Sequence, residues 1–91
     1  MTLHTLSSGS QGNCLLLSDG GTHILVDAGI STRRIKAGLA RLGLSMDDLD
    51  GILITHEHTD HISGLATLIK HHTVPLYASP GTARQLAYRL A

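Results

Sequence analysis

The 91-residue sequence has no Phe, no Trp and only two Tyr, so any core must be built from Leu, Ile, Val and Ala. Cys14 is the single cysteine, which excludes an intrachain disulfide. Flanked by apolar residues, its thiol reads as a small buried hydrophobe rather than a nucleophile, and it is compatible with a reducing compartment. Neither sign of charge dominates: seven Lys plus Arg face seven Asp plus Glu, leaving no basic footprint for nucleic acid and no acidic tail. Charge therefore names no partner. The opening MTLHTLSSGSQGN lacks a basic region and an apolar run, and no window approaches the roughly 18 apolar residues that cross a bilayer. The expectation is a soluble, cytoplasmic protein with no membrane association. Repeats, linkers and low-complexity segments are also missing, so residues 1–91 should form one continuous domain or part of one. At this length a chain buries only about 60 to 65% of its unfolded surface, and stability alone should be modest.

What is present in excess is histidine. Seven residues equal all the Lys and Arg together, an enrichment that asks for metal binding or proton transfer. Apolar residues at 42% support a globular class and argue against disorder.

Thr2 to Leu6 and Cys14 to Ser18 have strand character, separated by the small polar loop Ser7 to Asn13. Asp19-Gly20-Gly21 predicts a hairpin turn into a strand from Thr22 to Asp27, giving an antiparallel opening. Ser31 can cap a helix with Ile35, Leu39 and Leu42 on one face and Gly43 ending it. Arg33, Arg34, Lys36 and Arg41 would then line a solvated face. Gly51 to Thr55 predicts a short strand, Ile62 to His71 a helix with Ile62, Leu65, Ala66 and Ile69 inward, and Val74 to Ala78 another strand. Ser79-Pro80 opens a last helix with Ala83, Leu86, Ala87 and Leu90 at helical spacing. Right-handed crossovers between parallel strands put the helices on one side of the sheet. The other face would be bare, although strands of this buried type need cover on both faces. A missing C-terminal half, a partner, or self-association through that face would supply it.

The strand Gly51 to Thr55 runs into His56-Glu57-His58-Thr59-Asp60-His61. Ligands collect where parallel strands finish, and Asp27 ends a strand expected to point the same way, so Asp27 and the His run should share one rim. In extended backbone His56, His58 and Asp60 project to one side, with Glu57 pointing away, while His61 breaks the period and can reach a second position. Histidine nitrogens with a carboxylate suit a zinc pair or a mixed pair containing Mn or Fe. Two ions about 3.5 to 4 Å apart could hold a hydroxide that attacks a carbonyl or phosphorus. With this composition the four-residue pattern arises in roughly 0.3% of shuffled chains, which makes it a strong signal. The plain alternative is a polar loop capping the following helix, with Asp60 as its N-terminal anion.

The stretch Gly-Ile-Leu-Ile-Thr-His-Glu-His-Thr-Asp-His-Ile-Ser-Gly-Leu resembles the signature of the metallo-β-lactamase-fold superfamily. The opening Ser-Ser-Gly-Ser-x-Gly-Asn-Cys and Ile-Leu-Val-Asp-Ala-Gly-Ile-Ser-Thr-Arg-Arg are similar to its WalJ (YycJ)-type branch of exonucleases and phosphodiesterases. The resemblance covers essentially all 91 residues and the front third or so of such an enzyme. It implies an α/β (α+β) fold, the N-terminal portion of an αββα sandwich: a mixed sheet with helices on one face. It further implies that His56 and His58 bind a first metal and Asp60 with His61 a second, Asp60 being the candidate catalytic carboxylate. Asp27 would be a buried carboxylate orienting a ligand or the metal loop; the alternative is a simple strand-end turn residue. Histidine at 58, where diiron relatives place a carboxylate, favours hydrolysis over redox chemistry. A third His for the first metal, a bridging Asp and a last His would lie downstream of Ala91, so this piece alone should have little or no turnover.

The remaining polar residues are weaker candidates. Ser8, Ser10 and Asn13 could offer hydroxyls and N–H groups to a phosphate or carboxylate of the substrate, or only shape a tight loop. His71 and His72 fall at the wrong place for the missing ligands and are expected to be solvated helix-end residues, His4 and His23 structural ones. Three functions follow: a phosphodiesterase or nuclease; a lactone, thioester or β-lactam hydrolase with the same metals; and a non-catalytic metal-binding or interaction fragment.

Overall fold

A computed structural model of the chain describes residues 1–9, 12–56, 62 and 64–90, with side chains described up to residue 87. Strands β1 (Thr2–Ser7), β2 (Cys14–Asp19) and β3 (Thr22–Val26) form an antiparallel meander. The β2–β3 turn is the expected Gly20-Gly21 pair, with Gly20 at φ 63°. Helix α1 (Thr32–Arg41) leads to a 3-10 turn at Met46–Asp48 and to β4 (Gly51–Ile54); α2 (Leu65–His71), β5 (Leu76–Ala78) and α3 (Pro80–Leu90) follow. β4 pairs in parallel with β3 and with β5, so the five strands stand in sequence order.

Local chemistry sets the helix ends. Ser31 Oγ accepts from the Arg34 N–H at 3.3 Å and opens α1. At its other end Gly43, at φ 75°, donates to the Ala40 carbonyl while Leu44 donates to Leu39. These two bonds are a Schellman cap, which a residue with a Cβ would strain. Ser79 Oγ accepts from the Thr82 N–H at 3.2 Å with Pro80 in the first helical position.

One face of the sheet is covered. Cys14, Leu16, Leu25, Ile52 and Ile54 form its floor, and Ile35 and Leu39 of α1, Leu65 and Leu68 of α2 and Leu86 of α3 close over them in a single core. Each large side chain fully removed from water here contributes about 2 kcal/mol of transfer free energy. The other face carries Leu15, Leu17, Ile24 and Val26 half-buried, with Leu3, Leu53 and Tyr77 61%, 40% and 54% exposed. Helices on one face and a bare apolar sheet on the other match the expectation.

Several details differ. Ala66 is exposed and Leu68 takes its inward place, because rolling α2 that way buries the larger side chain. Leu42 is 37% exposed rather than inward, since α1 has already ended there and the cap turns the chain outward. Ala83 and Ala87 are likewise exposed, so among the described side chains of α3 Leu86 enters the core; the side chain of Leu90, also expected inward, lies outside them. β3 stops at Val26 and β5 begins at Leu76, shorter than the sequence pattern suggested. No helix among the described residues is long and apolar enough to cross a membrane.

Candidate metal centre

Parallel pairing of β3 with β4 brings two residues far apart in sequence to one rim. Val26 stands opposite Leu53, and the Asp27 N–H donates to the Leu53 carbonyl at 2.8 Å, one step beyond β3. Asp27 then turns into the left-handed region at φ 65°, which Asp tolerates better than most residues. The turn swings its carboxylate under the end of β4, where it is 5% exposed. Oδ1 accepts from the Thr55 N–H at 2.8 Å and Oδ2 from the Thr55 hydroxyl at 2.7 Å.

The Thr55 hydroxyl has a single proton, and the carboxylate takes it. Thr55 Oγ1 also lies 3.1 Å from His56 Nδ1. With its proton committed to Asp27, the hydroxyl would accept from an imidazole protonated on Nδ1, the tautomer that would turn Nε2 toward a metal. Fixing the tautomer and ring orientation in this way is what a supporting hydrogen bond does for an imidazole that ligates a metal through Nε2. Sequence reasoning singled out Asp27 and His56 but missed Thr55 between them. The signal was present only as a hydroxyl directly before the first His, which without the parallel pairing has no partner to act for.

Three loops meet at this rim. Gly64 donates its N–H to the Ala28 carbonyl at 2.8 Å, and a Cβ on Gly64 would run into the Ile30 carbonyl. The return of the chain after the His run is thus packed against the turn that follows Asp27. Gly29 in turn donates to the Asn13 carbonyl at 2.9 Å, tying in the loop after β1. Within that loop the Asn13 amide bonds both the N–H and the carbonyl of Gly9, at 3.2 and 3.0 Å, and Ser8 is exposed. Those bonds give Asn13 a loop-closing part. Ser10, His58, Asp60 and His61, and with them Glu57, lie outside the described residues. Among the described residues no three His, Cys, Asp or Glu side chains converge on one point.

Cys14 sits under the same rim with none of its surface exposed. Burial first, and the nearby Asp27 carboxylate second, push its thiol from 9.0 up to about 12, while Arg34 pulls weakly the other way. The thiol is therefore neutral and inert at neutral pH, as a structural cysteine. Because its pKa is raised on folding, its contribution to stability is intact below pH 9 and is lost as pH rises toward about 12. Native protein at pH 8 should react with a thiol-specific reagent more than 100-fold slower than urea-unfolded protein; equal rates would show that Cys14 is accessible.

The other histidines separate by environment. His23 Nδ1 bonds Ser18 Oγ at 2.7 Å and its backbone N–H donates to Asp50 Oδ2 at 2.8 Å, a structural part. His4 is half-buried and His71 exposed. His72 is not solvated as expected: it is half-buried, and its enclosed Nε2 has no hydrogen-bond partner among the described residues. The backbone turns extended there, at φ −136° and ψ 136°, and His72 lines a cavity shared with Lys36 and Met46.

Comparison with known proteins places this arrangement. The family model described as the metallo-beta-lactamase superfamily matches residues 8–91. The chain is 43% identical over 84 residues to the exodeoxyribonuclease YycJ of Bacillus anthracis, covering 90% of this chain and 32% of that protein. It is 46% identical over 77 residues to the exodeoxyribonuclease WalJ of Streptococcus pneumoniae, covering 85% and 29%. It superposes with a TM-score of 0.73 and 28% identity on a class B3 di-zinc metallo-beta-lactamase from an Alaskan soil metagenome, covering 85% of this chain and 31% of that one. The chain thus spans about a third of the length of these relatives.

Proposed function

Since the chain belongs to the metallo-beta-lactamase superfamily, we propose that it supplies part of the metal site of a hydrolase cleaving phosphodiester bonds of a nucleic acid. The observation that carries the reading is the Asp27–Thr55–His56 relay, which prepares His56 Nε2 as a ligand at the head of the His-x-His-x-Asp-His run. In this reading His56 and His58 serve one divalent ion and Asp60 with His61 a second, zinc being the first choice and Mn or Fe alternatives. Such a pair supplies Lewis acidity and activation of water at neutral pH. The chain's own residues do the rest: Asp27 and Thr55 hold the imidazole, and Gly64 fixes the return of the loop. Asp60 adds the carboxylate charge, and Ser8, Ser10 and Asn13 border the substrate side. Likeness to two exodeoxyribonucleases supports DNA as the substrate class.

Likeness to a β-lactamase favours one second reading, hydrolysis of a lactam, lactone or thioester on the same metals. Assaying the complete gene product with linear duplex DNA, bis(p-nitrophenyl) phosphate, nitrocefin and an acyl lactone separates the two. Release of nucleotides, or of p-nitrophenol with p-nitrophenyl phosphate, supports the phosphodiesterase; turnover of nitrocefin or lactone alone would replace it.

The 91 residues constitute, in the same reading, the N-terminal part of an αββα sandwich, inactive by themselves because each ion would have too few protein ligands. Their bare face, with Leu53 and Tyr77 40% and 54% exposed, is expected to drive self-association of the isolated piece. Sedimentation should show dimers or larger species at micromolar concentration, and Leu53→Glu with Tyr77→Glu should shift them to monomer. A wild-type monomer throughout would count against this use of the face.

A further inference from the structure

Among the described residues the sheet edge opposite the parallel strands is formed by β1, which pairs with β2 on one side only. In an antiparallel ladder every second residue of such a strand turns its N–H and C=O outward, a template for another strand. Beside this edge runs a groove of about 420 Å³ between β1 and α1, lined by Leu3 to Leu6, by Ile30, and by Arg34, Ala37, Gly38, Arg41 and Leu42. The helix residues follow the i, i+3, i+4, i+7, i+8 pattern of a single face. Gly38 brings the helix within contact of Leu6, because even a Cβ there would come within 3.0 Å of Leu6 Cδ2.

The charge of this groove is one-sided although the whole chain is balanced. His4, Arg34 and Arg41 line it, and no carboxylate among the described residues does. Neither guanidinium has a carboxylate partner among the described residues, where the ion pair is that of the Met1 amine with Asp19. All the charges of α1 are positive, at Arg33, Arg34, Lys36 and Arg41. Arg34 and Arg41 are seven residues apart, about 10.5 Å along the helix axis. Same-side positions of a strand recur about every 6.8 Å, so acidic residues two or four apart bracket that separation within the reach of the Arg side chains.

We propose that the β1 edge and the β1–α1 groove dock an extended acidic peptide segment as a sixth strand. Its backbone would pair with β1, its carboxylates would meet Arg34 and Arg41 on the helix side, and the alternate apolar side chains would lie on the bare face beside the exposed Leu3. A nucleic-acid strand fits less well: among the described residues no Phe, Tyr or Trp lines the groove to stack a base, whereas the free backbone groups of an edge strand pair with a peptide.

The test measures fluorescence polarisation of a labelled octapeptide alternating Glu with Val, added to the complete gene product. Saturable binding is expected. It should weaken at least tenfold for the Lys-Val counterpart and at least tenfold for the Arg34→Glu, Arg41→Glu double variant, whose exposed sites leave the fold intact by circular dichroism. Methylating alternate backbone amides of the Glu-Val peptide should abolish binding in one of the two registers while leaving charge unchanged. The proposal is overturned if the Glu-Val peptide does not bind, if both methylated registers bind as well as the parent, or if the Lys-Val peptide binds equally. It is also overturned if a single-stranded octanucleotide binds at these arginines and the peptide does not.

Discussion

With Asp60 replaced by Asn, the complete gene product is expected to lose phosphodiester hydrolysis by about three orders of magnitude, the equivalent of roughly 4 kcal/mol of transition-state stabilisation. The size follows from what the carboxylate does in the proposed site. It is the one carboxylate among the four proposed ligands, the others being imidazoles, and an amide of the same shape would not balance the charge of a divalent cation. The fold should be untouched, so circular dichroism and melting temperature serve as controls while nuclease rate and metal content are read. Retention of more than a tenth of the wild-type rate would place the chemistry elsewhere.

Asp27→Asn is the second large effect, and its logic lies in one proton. The asparagine carbonyl can still accept from the Thr55 N–H, now bonded to Asp27 Oδ1 at 2.8 Å. Its amide, however, must donate to Thr55 Oγ1 where the carboxylate accepts at 2.7 Å. The Thr55 proton is thereby released toward His56 Nδ1, 3.1 Å away. Nδ1 becomes the acceptor and the imidazole proton moves to Nε2, the wrong tautomer for ligation through Nε2. Loss of such supporting partners typically costs 10- to 100-fold in metal affinity, and that loss is expected in a competition titration with a chromophoric zinc chelator. Thr55→Val should show the same loss and Thr55→Ser should restore binding. If all three variants bind metal like the wild type, the relay is merely a strand-end tether.

How much of this was legible beforehand depends on the range of the interaction concerned. Ser31, Gly43 and Ser79 announced the helix ends because a cap is a contract among residues within one turn. The rim shared by Asp27 and His56 followed from strand direction, a topological argument that needs no side-chain detail. Thr55 was not legible, since its hydroxyl acquires a function only from a carboxylate 28 residues earlier. The choice of Leu68 over Ala66 was hidden for a related reason: helical periodicity defines a stripe, whereas the roll of the helix is set by the layer it lands on. His72 was misjudged because leaving the helix did not carry it into solvent.

The bare sheet face and the Asp27–Thr55–His56 relay belong to one account, in which this chain positions ligands and an adjoining layer completes the site. The measurement that tests it most directly is a zinc titration of the chelator-stripped complete gene product, following bound metal and DNA hydrolysis together. The account predicts that activity is absent without metal and rises to a plateau at two ions per chain. Full activity in the metal-free protein, or metal binding that never exceeds a trace at saturating zinc, would contradict it.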